Sequence, residues 1–251
     1  MAPLESTPPT RRRRTSARAT HSLEKVVTTA IAMLDRDGIK GLTLRGLAAE
    51  LGGGLGSVYW YVDGKEELLS LACDTLVGEA LVRAAEPSGG QLPEDLRVDD
   101  PAIAAAVADL RRTALALFEL AAEHRWLATR LHTQGAATDN AIRFWNRLGS
   151  ALAAMGLTTR QQFHGSTAII GYIVGVAAEM AAQDVHADPT RSKEEQLDAI
   201  AQAWLARDPA DFGWIQSIAD EFRDHDDDEQ FVAGLDLIIG GLVRQALEQR
   251  G

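Results

Sequence analysis

Residues 42–61, Leu42-Thr-Leu-Arg-Gly-Leu-Ala-Ala-Glu-Leu-Gly-Gly-Gly-Leu-Gly-Ser-Val-Tyr-Trp-Tyr61, decide the reading of the N-terminal part of the chain. Leu44, Leu47, Ala48 and Leu51 recur at helical spacing and form one apolar stripe. Thr43 stands where an N-cap is needed, so a helix is expected from about residue 44 to 51. Gly52, Gly53 and Gly54 then supply a tight turn, because glycine reaches backbone angles closed to other residues. A second short helix is expected over about 56–61, with Val58 continuing the core. Two short helices joined by such a turn are the pattern of a helix-turn-helix, whose second helix enters the major groove of DNA.

The flanking sequence supports a three-helix head. Upstream, Leu23, Val26, Val27, Ala30, Ile31 and Leu34 share a helical face that Gly38 closes. Downstream, Asp63 followed by Glu66 reads as a capping box opening a longer helix with Leu68, Leu69, Ala72, Cys73, Leu76, Val77, Ala80 and Leu81 on a broad face. The stretch Pro87 to Pro93 is expected to be a loop between head and body. What the head leaves polar suits nucleic acid. Ser57, Tyr59, Trp60 and Tyr61 offer hydroxyls, an indole N–H and aromatic faces to phosphates and base edges. Arg45 lies near a helix N-terminus within reach of a guanine, and Lys65 where a phosphate can be held.

Charge is distributed accordingly. Residues 1–65 carry ten Lys/Arg against six Asp/Glu, a net +4, whereas the remainder carries fifteen against thirty, a net −15. A basic head on an acidic body suits a chain of which only the head meets a polyanion. Residues 1–20 hold three prolines and the run Arg11, Arg12, Arg13, Arg14, and read as a disordered basic arm. Such an arm lies in a narrow minor groove or adds affinity without sequence preference, and the residues leave both open.

The body, residues 101–251, reads as helical throughout, with helices expected at about 101–122, 125–132, 139–155, 158–183, 193–206 and 230–249. No useful β-alternation occurs, so the fold class is all-α. No apolar run is expected to span a bilayer: the longest candidate, 167–182, is interrupted by Gly171, Gly175 and Glu179. The N-terminal arginines precede no apolar run, so no secretory signal is expected. The single cysteine, Cys73, rules out an internal disulfide and a cysteine-based zinc site, which fits a cytoplasmic protein. Interior glycines, Gly165, Gly171 and Gly175 on one helix and Gly234, Gly240 and Gly241 on another, accompany Ile169, Ile170, Ile173, Val174, Val176, Leu235, Leu237, Ile238, Ile239 and Leu242. Two such helices read as a four-helix homodimer interface, with burial inside one subunit as the alternative. Phe118, Trp126, His132, Trp145, Phe163, His164, Tyr172 and Glu179 place aromatic and polar groups in the same helices, as a small-molecule pocket requires.

The run from Leu42 to Leu69 closely resembles, without a gap, the DNA-binding domain of the tetracycline-repressor family. The resemblance implies that Thr43, Arg45, Ser57, Tyr59, Trp60, Tyr61 and Lys65 face operator DNA. Tyr61 replaces a frequent histidine and the turn has three glycines, which affects the base sequence read. From Phe118 to Ala182 the body resembles the effector domain of the tetracycline-responsive members of that family. In that register Phe118, His132, Leu148, Phe163, Ser166 and Glu179 occupy drug-contacting positions, and Trp145 joins them as an aromatic candidate. His132 and Glu179 match positions that hold a drug-bound magnesium. Gly135 and Ala114 replace a threonine and an asparagine that recognise the drug, so a different polycyclic or aromatic effector is expected, with magnesium not required.

The leading expectation is a homodimeric repressor that binds operator DNA and is released by a small molecule. A helical ligand-binding protein with a vestigial head is the alternative. An enzyme is not expected: no nucleophile elbow, phosphate loop, zinc His pair or dinucleotide fingerprint occurs, and nothing supplies a nucleophile beside His132 and Glu179. If the arm touches DNA, deleting residues 1–18 weakens operator binding and flattens its dependence on salt, as measured by fluorescence anisotropy. An unchanged slope would remove the arm from the interface.

Overall fold

The structure, a computed structural model, describes residues 21–86, 92–134, 137–186 and 190–249. The arginine run Arg11–Arg14, part of the expected 87–93 loop, and Gly135 lie outside the described residues. The described chain is all-α, with twelve helices and no strand.

The head forms as its caps dictate. α1 (Leu23–Gly41) starts on Ser22, whose hydroxyl accepts the Lys25 N–H at 3.1 Å. It breaks at Gly38, where φ is +68°, and the Leu42 N–H closes on the Gly38 carbonyl at 3.2 Å. α2 (Leu44–Glu50) is capped by Thr43, whose hydroxyl accepts the Gly46 N–H at 3.0 Å. Gly52 turns the chain with φ +69°. α3 (Leu55–Val58) is only four residues long, shorter than the expected 56–61, so Tyr59 to Tyr61 leave it in a turn. α4 (Lys65–Ala85) begins one residue later than a box on Asp63 requires. Its cap is Gly64, with no side-chain bond, and it is Glu67, not Glu66, that accepts the Asp63 N–H at 2.5 Å.

The body comprises α5 (Pro101–Glu123), α6 (Arg125–Gln134), α7 (Asp139–Ala154), α8 (Thr159–His186), α9 (Lys193–Leu205), α10 (Pro209–Ser217), α11 (Ala219–Asp224) and α12 (Asp227–Glu248). Asp100 caps α5 by accepting the Ala102 and Ile103 N–H groups at 2.8 and 3.1 Å, with Pro101 at the first helical position. α10 and α11 were not expected. The last helix, expected from about 230, starts earlier, at Asp227: Asp226 accepts the Asp228 and Glu229 N–H groups, each at 2.9 Å, and the acids favour the positive helix end.

α4 joins head to body. It packs on α1 in the head and on α5, α6 and α7 in the body, and the buried side chains form one cluster from Val26 to Ala246. Asp74 of α4 caps α7 by accepting the Asn140 and Ala141 N–H groups at 2.9 and 3.3 Å. Thr138, the residue at the α7 cap, makes no such bond. Gly78 admits this approach, since a Cβ there would lie 2.7 Å from the Asn140 amide nitrogen. At the other end of α4, Arg147 of α7 donates to the Leu81 and Ala84 carbonyls at 3.2 and 2.8 Å and to Asp109 of α5 at 2.6 Å.

Two helical stretches, Thr159–Ala182 and Asp227–Glu248, are long and apolar enough to cross a bilayer by length and composition, where the sequence reading expected none. Single glycines and one glutamate do not lower the apolar content of a helix that long. Both carry apolar residues on two faces. Ile169, Ile173, Val174, Leu235, Ile239 and Leu242 are buried within the subunit, which corrects their assignment to a dimer face. Gly165 and Gly234 are also used internally, against Leu242 and Leu152 and against Tyr172 respectively. Ala168, Gly171, Gly175, Ala233 and Leu237 are exposed, Leu237 by 79%, and a Cβ on Gly171 or Gly175 would meet open space.

Two substitutions test these supports in urea unfolding. Asp74→Ala, which uncaps α7, is expected to cost about 1–2 kcal/mol. Phe231→Ala, which empties a fully buried site between α12 and α5, is expected to cost about 3–5 kcal/mol. A smaller effect for Phe231 than for Asp74 would contradict this ordering.

Candidate DNA interface and effector cavity

The seven candidate DNA contacts in the described head fall into two groups. Arg45, Tyr59 and Trp60 are exposed, the last two by 48% and 54%. Their polar atoms have no partner among the described residues, so these three present free donors and aromatic surface to a ligand. The other four are already engaged. Thr43 caps α2. The Ser57 hydroxyl donates to the Gly54 carbonyl at 2.6 Å, and a Cβ at Gly53 would lie 2.9 Å from that oxygen, so the glycine turn and Ser57 pack together. The Tyr61 hydroxyl donates to the His21 carbonyl and so ties the start of α1 to the end of the helix-turn-helix. The Lys65 ammonium donates to the Ile39 carbonyl at 2.5 Å, bridging α4 to the α1–α2 corner. Sequence reasoning gave all seven the same status. The partner carbonyls lie 40 and 26 positions away from Tyr61 and Lys65, which is why no local pattern reveals them.

Three polar contacts link the head to the α5–α6 corner and to α6. Asp35 of α1 accepts the Trp126 indole N–H at 2.8 Å and faces His124 Nδ1 at the same distance. Arg130 of α6 pairs with Glu66 at the start of α4 at 3.0 Å. Trp126 had been read as a pocket aromatic, and it is buried here with its N–H directed to the head.

The candidate effector residues are not brought to one place. Phe118 is buried and stacks on Phe231 with ring centroids 3.5 Å apart, and Tyr172 also stacks on Phe231 at 5.2 Å. Burial raises the Tyr172 phenol above its ordinary pKa. Leu148 is fully buried, and Ser166 is buried with its hydroxyl donating to the Gln162 carbonyl at 2.5 Å. Trp145 is half-buried, whereas His132 and Phe163 are exposed, Phe163 by 61%. Phe118 borders a cavity of about 310 Å³ between α5 and α12. Glu179 borders a larger, partly open one of about 680 Å³, bounded by α8, α9, α11 and the start of α12. Met180, Leu197, Ile200, Ile218 and Phe222 give this cavity an apolar wall, and its polar rim includes Glu179, Glu221, Lys193, His225 and Asp227. Arg125, between His124 and Trp126, also reaches it. Most of these residues lie after position 192, beyond the stretch in which effector contacts were sought.

No hydrogen bond or ion pair joins His132 to Glu179 among the described residues, and no three His, Cys, Asp or Glu side chains there converge on a possible cation site. The donor set for the magnesium considered from sequence is therefore not assembled within the described chain, and no step below is routed through a metal.

Comparison with known proteins agrees with this architecture. Residues 105–246 match the family described as tetracyclin repressor-like, C-terminal domain. The chain is 31% identical over 227 residues to an HTH-type transcriptional regulator of Saccharopolyspora erythraea, covering 89% of this chain and 85% of that protein. It is 34% identical over 158 residues to the HTH-type transcriptional repressor DrrR1 of Streptomyces coeruleorubidus, covering 63% of this chain and 53% of the relative. Among solved structures, the transcriptional regulator SCO7222 of Streptomyces coelicolor superposes with a TM-score of 0.73 at 32% identity, over 89% of this chain and 98% of that one. ActR of the same organism, solved in complex with actinorhodin, shares the fold with a TM-score of 0.72 at 23% identity, over 90% and 97% of the two chains. With its helix-turn-helix head and its matching body, the chain belongs to the tetracycline-repressor family of transcriptional regulators.

Proposed function

We propose that the chain acts as a homodimeric repressor that holds operator DNA through paired heads and releases it when a small molecule occupies the body. The observation that carries the DNA half of this reading is the unpartnered trio Arg45, Tyr59 and Trp60, the other four candidate contacts being engaged within the head. The exposed stripe Ala168, Gly171 and Gly175 on α8, with Ala233 and Leu237 on α12, supports the dimer. Small residues let two helices from each subunit approach closely, and an isolated subunit would leave this surface in water. Two heads related by a two-fold axis then address half-sites about 34–36 Å apart, or a multiple of that spacing.

Release follows from population shift. The head is fixed to the body by α4, by Asp35 on His124 and Trp126, and by Glu66 on Arg130. A ligand that binds better when these contacts set the heads at the wrong spacing draws the dimer away from DNA. It must favour that state by about 5 kcal/mol to convert nearly all of the population. The actinorhodin complex of ActR and the repressor name of DrrR1 support ligand control and its sign for this chain. The excess of acid in the body keeps all but the head away from the phosphates. These features also support a cytoplasmic location, where operator DNA is reached.

Footprinting on the DNA flanking the gene is expected to show two protected half-sites. In anisotropy titrations on that duplex, Arg45→Ala and Trp60→Ala should each weaken binding by about tenfold or more. Tyr61→Phe, which removes only the bond to His21, should lower head stability while changing affinity at saturating fold by less than about threefold. Loss of binding in Tyr61→Phe equal to that in Trp60→Ala would reverse the division of roles. Leu237→Glu should yield a folded monomer by analytical ultracentrifugation, and a stable dimer from this variant would place the interface elsewhere.

A further inference from the structure

The large cavity has a charge imbalance that specifies its ligand. Of the carboxylates on its rim, Asp227 is matched by Lys193 at 2.6 Å and by His225 at 3.2 Å. Arg125 has a partner of its own and adds a guanidinium to the lining. Glu179 and Glu221 have no hydrogen-bond or ion-pair partner among the described residues, and the three carboxylates of the lining outnumber its two Lys and Arg. Behind them the wall is apolar, with the Phe222 ring held between Trp204 and His225 at centroid distances of 4.3 and 5.4 Å. The volume of about 680 Å³ falls within the range for drug-sized ligands. The net −15 of residues 66–251 adds a field of the same sign.

We propose that this cavity is the effector site of the subunit and takes a lipophilic organic cation, an aromatic or polycyclic skeleton bearing a protonated amine. The skeleton lies on Met180, Leu197, Ile218 and Phe222, and the amine is held between Glu179 and Glu221. An anion of the same shape would meet two carboxylates of like charge, and a neutral congener would leave them as they are. The inference rests on the ligand-controlled reading above and deepens it, because the cavity wall runs into the head contact. Arg125 on the wall is flanked by His124 and Trp126, whose ring nitrogens meet Asp35 of α1. A ligand that displaces this segment displaces the hold on α1.

The test uses the purified full chain without DNA. Three fluorescent probes of one skeleton are titrated: 1-pyrenemethylamine, its neutral N-acetyl derivative and 1-pyrenecarboxylate. The amine is expected to bind about tenfold more tightly than the neutral probe and the carboxylate more weakly than either. Raising salt from about 50 mM to about 500 mM should erase most of the difference. E179Q/E221Q, at two exposed rim positions, should abolish the preference for the amine and leave the neutral probe unchanged. Ile200→Trp, which fills the cavity from its rim, should weaken all three. Equal affinities for the three probes, a preference that survives E179Q/E221Q, or binding indifferent to Ile200→Trp each overturn the assignment. Operator binding is measured in parallel. A protein that binds its operator and is released by some other compound, yet shows no amine preference, keeps its function and loses this site. A protein that shows the preference but binds no duplex keeps the site and loses the function.

Discussion

The C-terminal turn of α4 is the point on which head and body both depend. The last carbonyls of any helix lack intrahelical partners and must find them elsewhere. Here the Leu81 and Ala84 carbonyls are satisfied by Arg147, and Arg147 is in turn held by Asp109. Three helices, α4, α5 and α7, therefore meet on one guanidinium, whose planar fork suits this many acceptors where an ammonium would not. Asp74 repeats the device one face earlier by capping α7 from within α4. With both ends of the α4–α7 contact pinned by polar bonds, α4 has little freedom to slide. The apolar packing of Leu68, Leu69, Ala72, Leu76 and Val77 then connects the head core to the body core without a gap.

A head carried in this way behaves as a lever. Its own integrity is maintained by contacts that use up much of its polar surface: the Tyr61 hydroxyl on His21, the Lys65 ammonium on Ile39, the Thr43 cap and the Ser57 bond to Gly54. Of the candidate contacts, those without an intramolecular partner among the described residues are one guanidinium and two aromatic groups. A second line of contact, from Asp35 to His124 and Trp126, meets α1 from the side of the large cavity. Each head thus meets the body along two lines, through α4 and through the Asp35 contacts, and the larger of the two cavities lies beside the second.

Much of this was legible in the sequence where the cause is local. Thr43 as a cap, Gly38 and Gly52 as positive-φ turns and the Pro101 start of α5 each depend on a few neighbouring residues, and each stands as read. The family resemblance added the expectation of which residues between Leu42 and Leu69 face DNA. What remained hidden depends on partners far along the chain. Phe118 has the character of a ligand contact until Phe231 is seen stacked on it. The glycines of α8 and α12 divide into those that meet this subunit, Gly165 and Gly234, and those that meet open space, Gly171 and Gly175, a distinction periodicity does not carry. α10 went unread although Asp208 and Pro209 supply a cap and a first-turn proline, because its residues show no one-sided apolar pattern.

The claim that α4 and its Arg147 clamp set head orientation is tested most directly by the distance between the two heads of a dimer. A spin label on Ala49→Cys, an exposed position of α2, reports that distance by pulsed electron paramagnetic resonance. The native Cys73 is buried, and burial pushes its thiol up to about 12, so it does not compete for the label. A narrow distance distribution is expected for the otherwise unaltered chain, and a distribution broadened to several times that width for Arg147→Met with the dimer intact. An equally narrow distribution in Arg147→Met would contradict the coupling of head to body through this turn.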